Sequence, residues 1–195
     1  MSVTNQSVAP DSRERLIQAG YELLTQRGPG GTGVDLIAGR ANCAKATLYN
    51  VFGSKTALTL AVLQRREEIW TRGWLEAGIK LRASEPDDQL LAMFDLFHDW
   101  FRRDDFEGCI FLKMLLESSV EADIRDAVLT HLANVRLLIT NLADEAGICD
   151  ARRFAEAWLM IMQGAIMAAS EGNADAARVA KRLAEPVLAA WPRRT

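Results

Sequence analysis

Apolar residues recur along most of this chain at three- and four-residue intervals, and no segment shows the period-two alternation of a strand. The pattern therefore predicts helices throughout. The densest information lies in residues 32–58, which read TGVDLIAGRANCAKATLYNVFGSKTAL. Thr32 and Asp35 stand where a capping box would start a helix, and Val34, Ile37, Ala38 and Ala41 give that helix one apolar face about two turns long. Asn42 tolerates the left-handed conformation and can reverse the chain. A second short helix is predicted over about 44–51, with Leu48 and Phe52 turned inward. Lys45, Ala46, Thr47, Tyr49 and Asn50 remain for its outer side, which is small and polar enough to enter a DNA major groove. Gly53 ends this helix, Ser54 can cap the next, and Lys55 sits at that helix's start, where its charge and free backbone amides favour a phosphate.

Beyond this stretch the predicted helices run over about 55–82, 87–103, 110–118, 122–146, 151–170 and 174–191, with Pro86 suited to a first helical turn. Pro186 is expected to kink or locally unwind the last of them. Large apolar side chains gather where the middle helices could converge with the long one: Trp70, Trp74, Phe94, Phe97, Trp100 and Phe101, then Phe111, Met114, Phe154, Trp158 and Met162. By default such a stripe is core. His98 and Gln163 interrupt these faces with polar groups. The last two helices carry Trp158, Leu159, Met162, Ala165 and Ile166, then Leu183, Val187, Leu188 and Trp191, with small residues between them. That face can form a four-helix bundle with a second copy or pack within one subunit.

Composition divides the chain in two. The net charge is −3 overall, but residues 1–82 hold 11 basic and 7 acidic side chains, giving +4, and residues 83–195 hold 12 and 19, giving −7. A basic front and an acidic back confine the attraction for phosphate to one end. Residues 1–10 are polar and read as a disordered arm without the apolar stretch of a signal peptide, so a cytoplasmic location is expected. No apolar run reaches the roughly 18 residues of a membrane span. Cys43, Cys109 and Cys149 show neither paired nor metal-ligand spacing and read as reduced thiols, so no metal is expected. Two histidines, His98 and His131, with no nucleophile elbow, metal cluster or phosphate loop, give poor support for an enzyme built on the aromatic residues. A helical interaction module is a further alternative.

Residues 32–58 resemble the TetR family of bacterial transcriptional repressors through Thr32, Val34, Ile37-Ala38, Ala41, Thr47-Leu48-Tyr49, Phe52, Ser54-Lys55 and Leu58. The preceding helix fits as well, with Arg15, Ile17, Ala19, Leu23, Leu24 and Gly28 in the family's order. About the first third of the chain is covered. Asn42, Cys43 and Ala44 replace the family's usual glycine, valine and serine, Ala46 its frequent glycine and Thr56 its usual glutamate. These departures bear on base preference, not on docking mode.

The resemblance implies an all-α fold: a helix-turn-helix DNA-binding domain over 11–56, then a helical effector-binding and dimerisation domain over 57–195. It implies phosphate contacts from Thr32, Thr47, Tyr49 and Lys55, and base-edge contacts from Lys45, Ala46 and Asn50. On residues alone, Thr32 could be only a cap and Tyr49 only a packing side chain. The family's internal effector cavity would place Trp70, Trp74, Phe94, Phe97, His98 and Phe101 around a small molecule, joined by Phe111, Met114, Trp158, Met162 and Gln163. Leu159, Ile166, Leu183, Val187 and Trp191 would line the homodimer contact. Double-stranded operator DNA, a second copy and an unidentified small-molecule effector are the partners implied, with no cofactor.

Overall fold

The computed structural model describes residues 11–117 and 120–194, so the arm assigned to residues 1–10 and the end of the helix expected over 110–118 lie outside the described residues. Ten α-helices follow in chain order: α1 Ser12–Arg27, α2 Val34–Arg40, α3 Lys45–Phe52, α4 Lys55–Glu67, α5 Ala77–Arg82, α6 Pro86–Phe101, α7 Ile110–Leu115, α8 Ala122–Glu145, α9 Ala151–Ser170 and α10 Ala176–Ala190. Among the described residues there is no strand, only one isolated bridge between Ile148 and Arg193. The predicted all-α class is the observed one.

Local chemistry explains most helix ends. The Asp11 carboxylate accepts from the Glu14 amide at 2.7 Å to start α1, and Ser54 Oγ accepts from the Ala57 amide at 3.0 Å to start α4. Gly53, with φ +76°, makes the turn between α3 and α4 in a conformation that a side chain would strain. Pro86 occupies the opening of α6, where its missing amide proton leaves no bond unmade.

The single α-helix expected over 55–82 is interrupted. Between α4 and α5 the chain forms a π-helical segment, Glu68–Glu76, and the Ala77 amide bonds to the Arg72 carbonyl five residues back. The wider turn brings Trp70 and Trp74 to one side, with ring centroids 5.2 Å apart, and both lie 5.7 Å from the Trp100 ring of α6. Three indoles are thus packed against each other at this junction. Just beyond, Gly78 lets α5 approach α6 closely: a Cβ there would stand 2.7 Å from Leu96 Cδ2.

Pro186 does not unwind α10, which continues to Ala190. Arg182 and Pro186 both lie on the exposed side, so the carbonyl deprived of its amide partner is open to water. The following Arg193 guanidinium donates to the Leu188 and Ala146 carbonyls and so satisfies acceptors near the helix end.

Two hydrophobic cores result. The first joins α1, α2, α3 and α4 with α7 and the start of α8, around Leu16, Leu24, Ile37, Leu48, Leu58 and Val62. The second joins the π segment, α5, α6, the later part of α8, α9 and α10, around Phe94, Phe97, Phe154 and Trp158.

Candidate nucleic-acid interface

α3, the helix expected to read DNA, is positioned by α1 and α2. Asn42 adopts φ +52° between α2 and α3, as its tolerance of the left-handed region predicts, and the Cys43 amide closes the turn on the Ala38 carbonyl at 2.9 Å. Arg15 of α1 donates to the Ala41 carbonyl at 3.2 Å and fixes the turn to α1. Leu48 is fully buried and is the anchor of α3, while Tyr49 is 44% exposed and Lys45, Ala46 and Asn50 are exposed around it. Thr47 is half-buried at the edge of this surface. Lys45 forms an ion pair with Asp35 at 2.9 Å, which raises its pKa through that bond and the carboxylate charge. Lys55 is half-buried and donates to the Pro29 carbonyl at 2.8 Å, tying the start of α4 to the loop after α1.

Thr32 departs from both of its expected roles. Its residue is fully buried, and its hydroxyl donates to the Gly28 carbonyl at 2.7 Å, with the Leu23 carbonyl at 3.2 Å. Gly33, not Thr32, is the N-cap of α2, and no side chain caps that helix. The hydroxyl is committed to closing the end of α1 because the loop folds back onto that helix, and it presents no surface to a phosphate.

Ala44 caps α3 with extended dihedrals, φ −69° and ψ 148°, and offers no side-chain bond. The backbone is already in the conformation that a capping serine uses. Ala44→Ser is therefore expected to stabilise the chain by about 1 kcal/mol, seen as a rise in the midpoint of urea unfolding. An unchanged or lowered midpoint would contradict the missing-cap reading.

The residues expected around an effector separate into three groups. Phe94, Phe97, Phe101, Trp158 and Met162 are buried and packed together in the second core. Phe111 and Met114 belong to the first core, where they join residues of α1, α4 and the start of α8. His98 and Gln163 are half-buried, the former with its Nδ1 unpartnered among the described residues. Trp70 and Trp74 of that set, with Trp100, border a cleft of about 300 Å³, which opens between α1, the α4–π junction and the end of α6.

Sequence reasoning missed a buried polar cluster between the two cores. His131 of α8 is 3% exposed, and its Nδ1 meets the carboxylate of Glu67, the last residue of α4. The imidazole stacks on Phe111 with centroids 3.5 Å apart and contacts Trp70 edge-on at 5.9 Å. Glu67 also accepts from Asn134 at 3.0 Å and Thr71 at 2.8 Å. Burial opposes the charged form of His131, but bonds to Cys109 and Glu67 outweigh it and raise the pKa above 6.5. Burial likewise opposes the Glu67 charge, and the bonds from His131 and Asn134 bring its pKa below 4.5. A lone histidine in a helical sequence gave no signal of this pairing across 64 residues.

On α9 and α10, Leu159 and Ile166 are buried within one subunit by α6, α8 and α10, so they cannot line a contact with a second copy. Trp191 packs edge-on against Phe154 at 5.2 Å and donates its indole N–H to the Cys149 carbonyl at 2.9 Å, and Val187 is half-buried against the same core. Leu183 is exposed, together with Met160, Met167 and Val179, which the sequence pattern did not single out.

A short helix pair packed on α1 and α4, joined to a larger helical bundle, is a helix-turn-helix arrangement. The pattern of the bacterial regulatory proteins, tetR family, matches residues 16–62. The chain is 37% identical over 95 residues to the transcriptional activator FasR of Mycolicibacterium smegmatis, covering 48% of this chain and 42% of that protein. It is 27% identical over 128 residues to the transcriptional repressor NemR of Escherichia coli, covering 64% of this chain and 63% of the relative. The crystal structure of SCO4454, a TetR-family transcriptional regulator from Streptomyces coelicolor, superposes with a TM-score of 0.83 at 26% identity, covering 91% of this chain and 94% of that one. Over residues 16–62 the chain thus carries the TetR-family DNA-binding pattern, and the relatives and the solved structure that it resembles are regulators of transcription. It spans about two fifths of the length of FasR. No helix among the described residues is long and apolar enough to cross a membrane.

Proposed function

We propose that this protein represses transcription in the cytoplasm by binding a pseudo-palindromic operator as a homodimer, and that a small-molecule effector releases it. The exposed face of α3, with Lys45, Ala46, Tyr49 and Asn50 outward and Leu48 anchored beneath, carries this reading. Thr47 and Lys55 flank that face as phosphate contacts, and few side chains reach base edges. Operator shape and half-site spacing must then supply part of the specificity. An effector acts by favouring a dimer in which the two reading helices are spaced wrongly for DNA.

Selection from a random DNA pool is expected to enrich an inverted repeat whose half-sites lie about one helical turn apart or a multiple of it. Recovery of no common sequence would refute operator binding. A promoter carrying that repeat should be derepressed when the gene is deleted; loss of transcription instead would make the protein an activator.

The dimer contact is proposed for the exposed apolar side chains Met160, Met167, Val179 and Leu183 of α9 and α10. Leu183→Glu should convert the dimer to a folded monomer in sedimentation experiments, since a charge on each of two facing copies meets its like. A dimer that survives this change uses another face.

A further inference from the structure

The cleft between the two cores combines a cation, an unmet donor and aromatic walls. Arg66, near the end of α4, lies over the Tyr21 ring at 5.4 Å and has no hydrogen bond or ion pair among the described residues. Its guanidinium is half-buried, and burial is the main cause that lowers its pKa. Trp70, 6% exposed, borders the same cleft, and its indole N–H has no acceptor among the described residues. Trp74 and Trp100 form the apolar wall, and Arg103 stands at the rim in a two-pronged pair with Asp105 at 2.7 and 2.8 Å.

Each feature bears on what can enter. An uncompensated, partly desolvated guanidinium gains most from a planar anion that can accept two parallel bonds. The indole walls favour a flat apolar body, and a cleft of about 300 Å³ sits at the small end of ligand sites. Asp105 opposes an anion at the rim, but Arg103 already neutralises it, which leaves Arg66 as the net positive charge.

We propose that this cleft binds a small aromatic carboxylate, its carboxylate on Arg66 and its ring against Trp74 and Trp100. The site touches α1 through Tyr21, the α4–π junction through Arg66, Trp70 and Trp74, and the end of α6 through Trp100 and Arg103. An occupant therefore bridges the reading unit and the larger bundle. The assignment supplies the class and place of the effector, and it rests on the regulator reading only for the consequence at DNA.

The probe is 2-naphthoate, with 2-naphthamide as its neutral counterpart, titrated calorimetrically into the full chain. Naphthoate is expected to bind with Kd of about 1 mM or tighter, at least tenfold tighter than the amide. Arg66→Gln should abolish that preference, and Arg66→Lys should keep part of it. In nitrogen-15 spectra the indole signals of Trp70, Trp74 and Trp100 should move, while those of Trp158 and Trp191 stay. No binding, equal binding of acid and amide, or unchanged preference in Arg66→Gln overturns the assignment. Should Arg66→Gln not fold, Trp74→Leu takes its place: both ligands are expected to weaken tenfold or more, and unaltered binding overturns the site. With operator present, naphthoate that binds the cleft without weakening the DNA complex removes the effector role alone. A chain that selects no operator refutes the regulator reading and leaves the calorimetry to judge the cleft.

Discussion

Replacing His131 with leucine is expected to destabilise the folded chain by about 2–4 kcal/mol, because a partly buried carboxylate loses its charged partner. Leucine keeps an apolar side chain of similar size beside Phe111 but loses the ring stack, and the loss of Glu67's charged partner is expected to dominate. Asn134 and Thr71 still donate to Glu67, which keeps the effect below that of an ion buried with no donors. The double variant His131→Leu/Glu67→Leu should recover most of the loss, since removing both charges removes the desolvation penalty with them. Urea unfolding of the four proteins gives the coupling directly, and additive single effects would show that the pair contributes nothing as a pair.

The same pair sets a pH signature. The pKa of His131 is raised above 6.5 in the folded state, so its contribution is complete below pH 6.5 and fades as pH rises through the higher folded value. Glu67 is shifted the other way, below 4.5, so its contribution is complete above pH 4.5 and fades as pH falls through the lower folded value. Stability from the pair is thus greatest between 4.5 and 6.5 and declines on both sides. Subtracting the profile of His131→Leu/Glu67→Leu from that of the natural chain isolates this bell, and a flat difference would remove the ion pair as its source.

What could be read from residue order follows from how local the cause is. Helix starts at Pro86 and Ser54, the left-handed Asn42 and the uncapped Ala44 are fixed within a few residues, and the sequence displays them. Thr32 was misread because a hydroxyl ahead of a helix looks like a cap whether it faces forward or back. Its commitment to Leu23 and Gly28 depends on how the loop folds onto α1. The aromatic stripe identified a core and not its voids, because close packing and a cavity use the same residue types. Trp70 borders a cleft while Trp158 is fully buried in the second core, and the π segment that carries Trp70 has no periodicity of its own in sequence. Leu159 and Leu183 fall on helices with equally apolar faces. Only the placement of α6 and α8 decides that the first is buried at home and the second exposed.

For DNA binding, the double variant Lys45→Ala/Lys55→Ala is expected to lower operator affinity about a thousandfold at 0.1 M salt and much less near 1 M. In the proposed dimer four cations would be lost, two of Lys55 on phosphates and two of Lys45 in the groove between them, and each such charge displaces counterions worth about 0.9 in the slope of log affinity against log salt. The slope should therefore flatten by roughly 3 to 4 units, and the two lines should converge at high salt. Lys45 must leave Asp35 to reach DNA, but that pair is exposed and easily broken. Lys55 keeps its bond to Pro29 and has two further protons for a phosphate. Tyr49→Ala removes a contact without charge, so it should weaken binding at every salt concentration and leave the slope where it was. Loss of affinity in the lysine variant with an unaltered slope would mean that these side chains position α3 within the protein and bring no charge to the DNA.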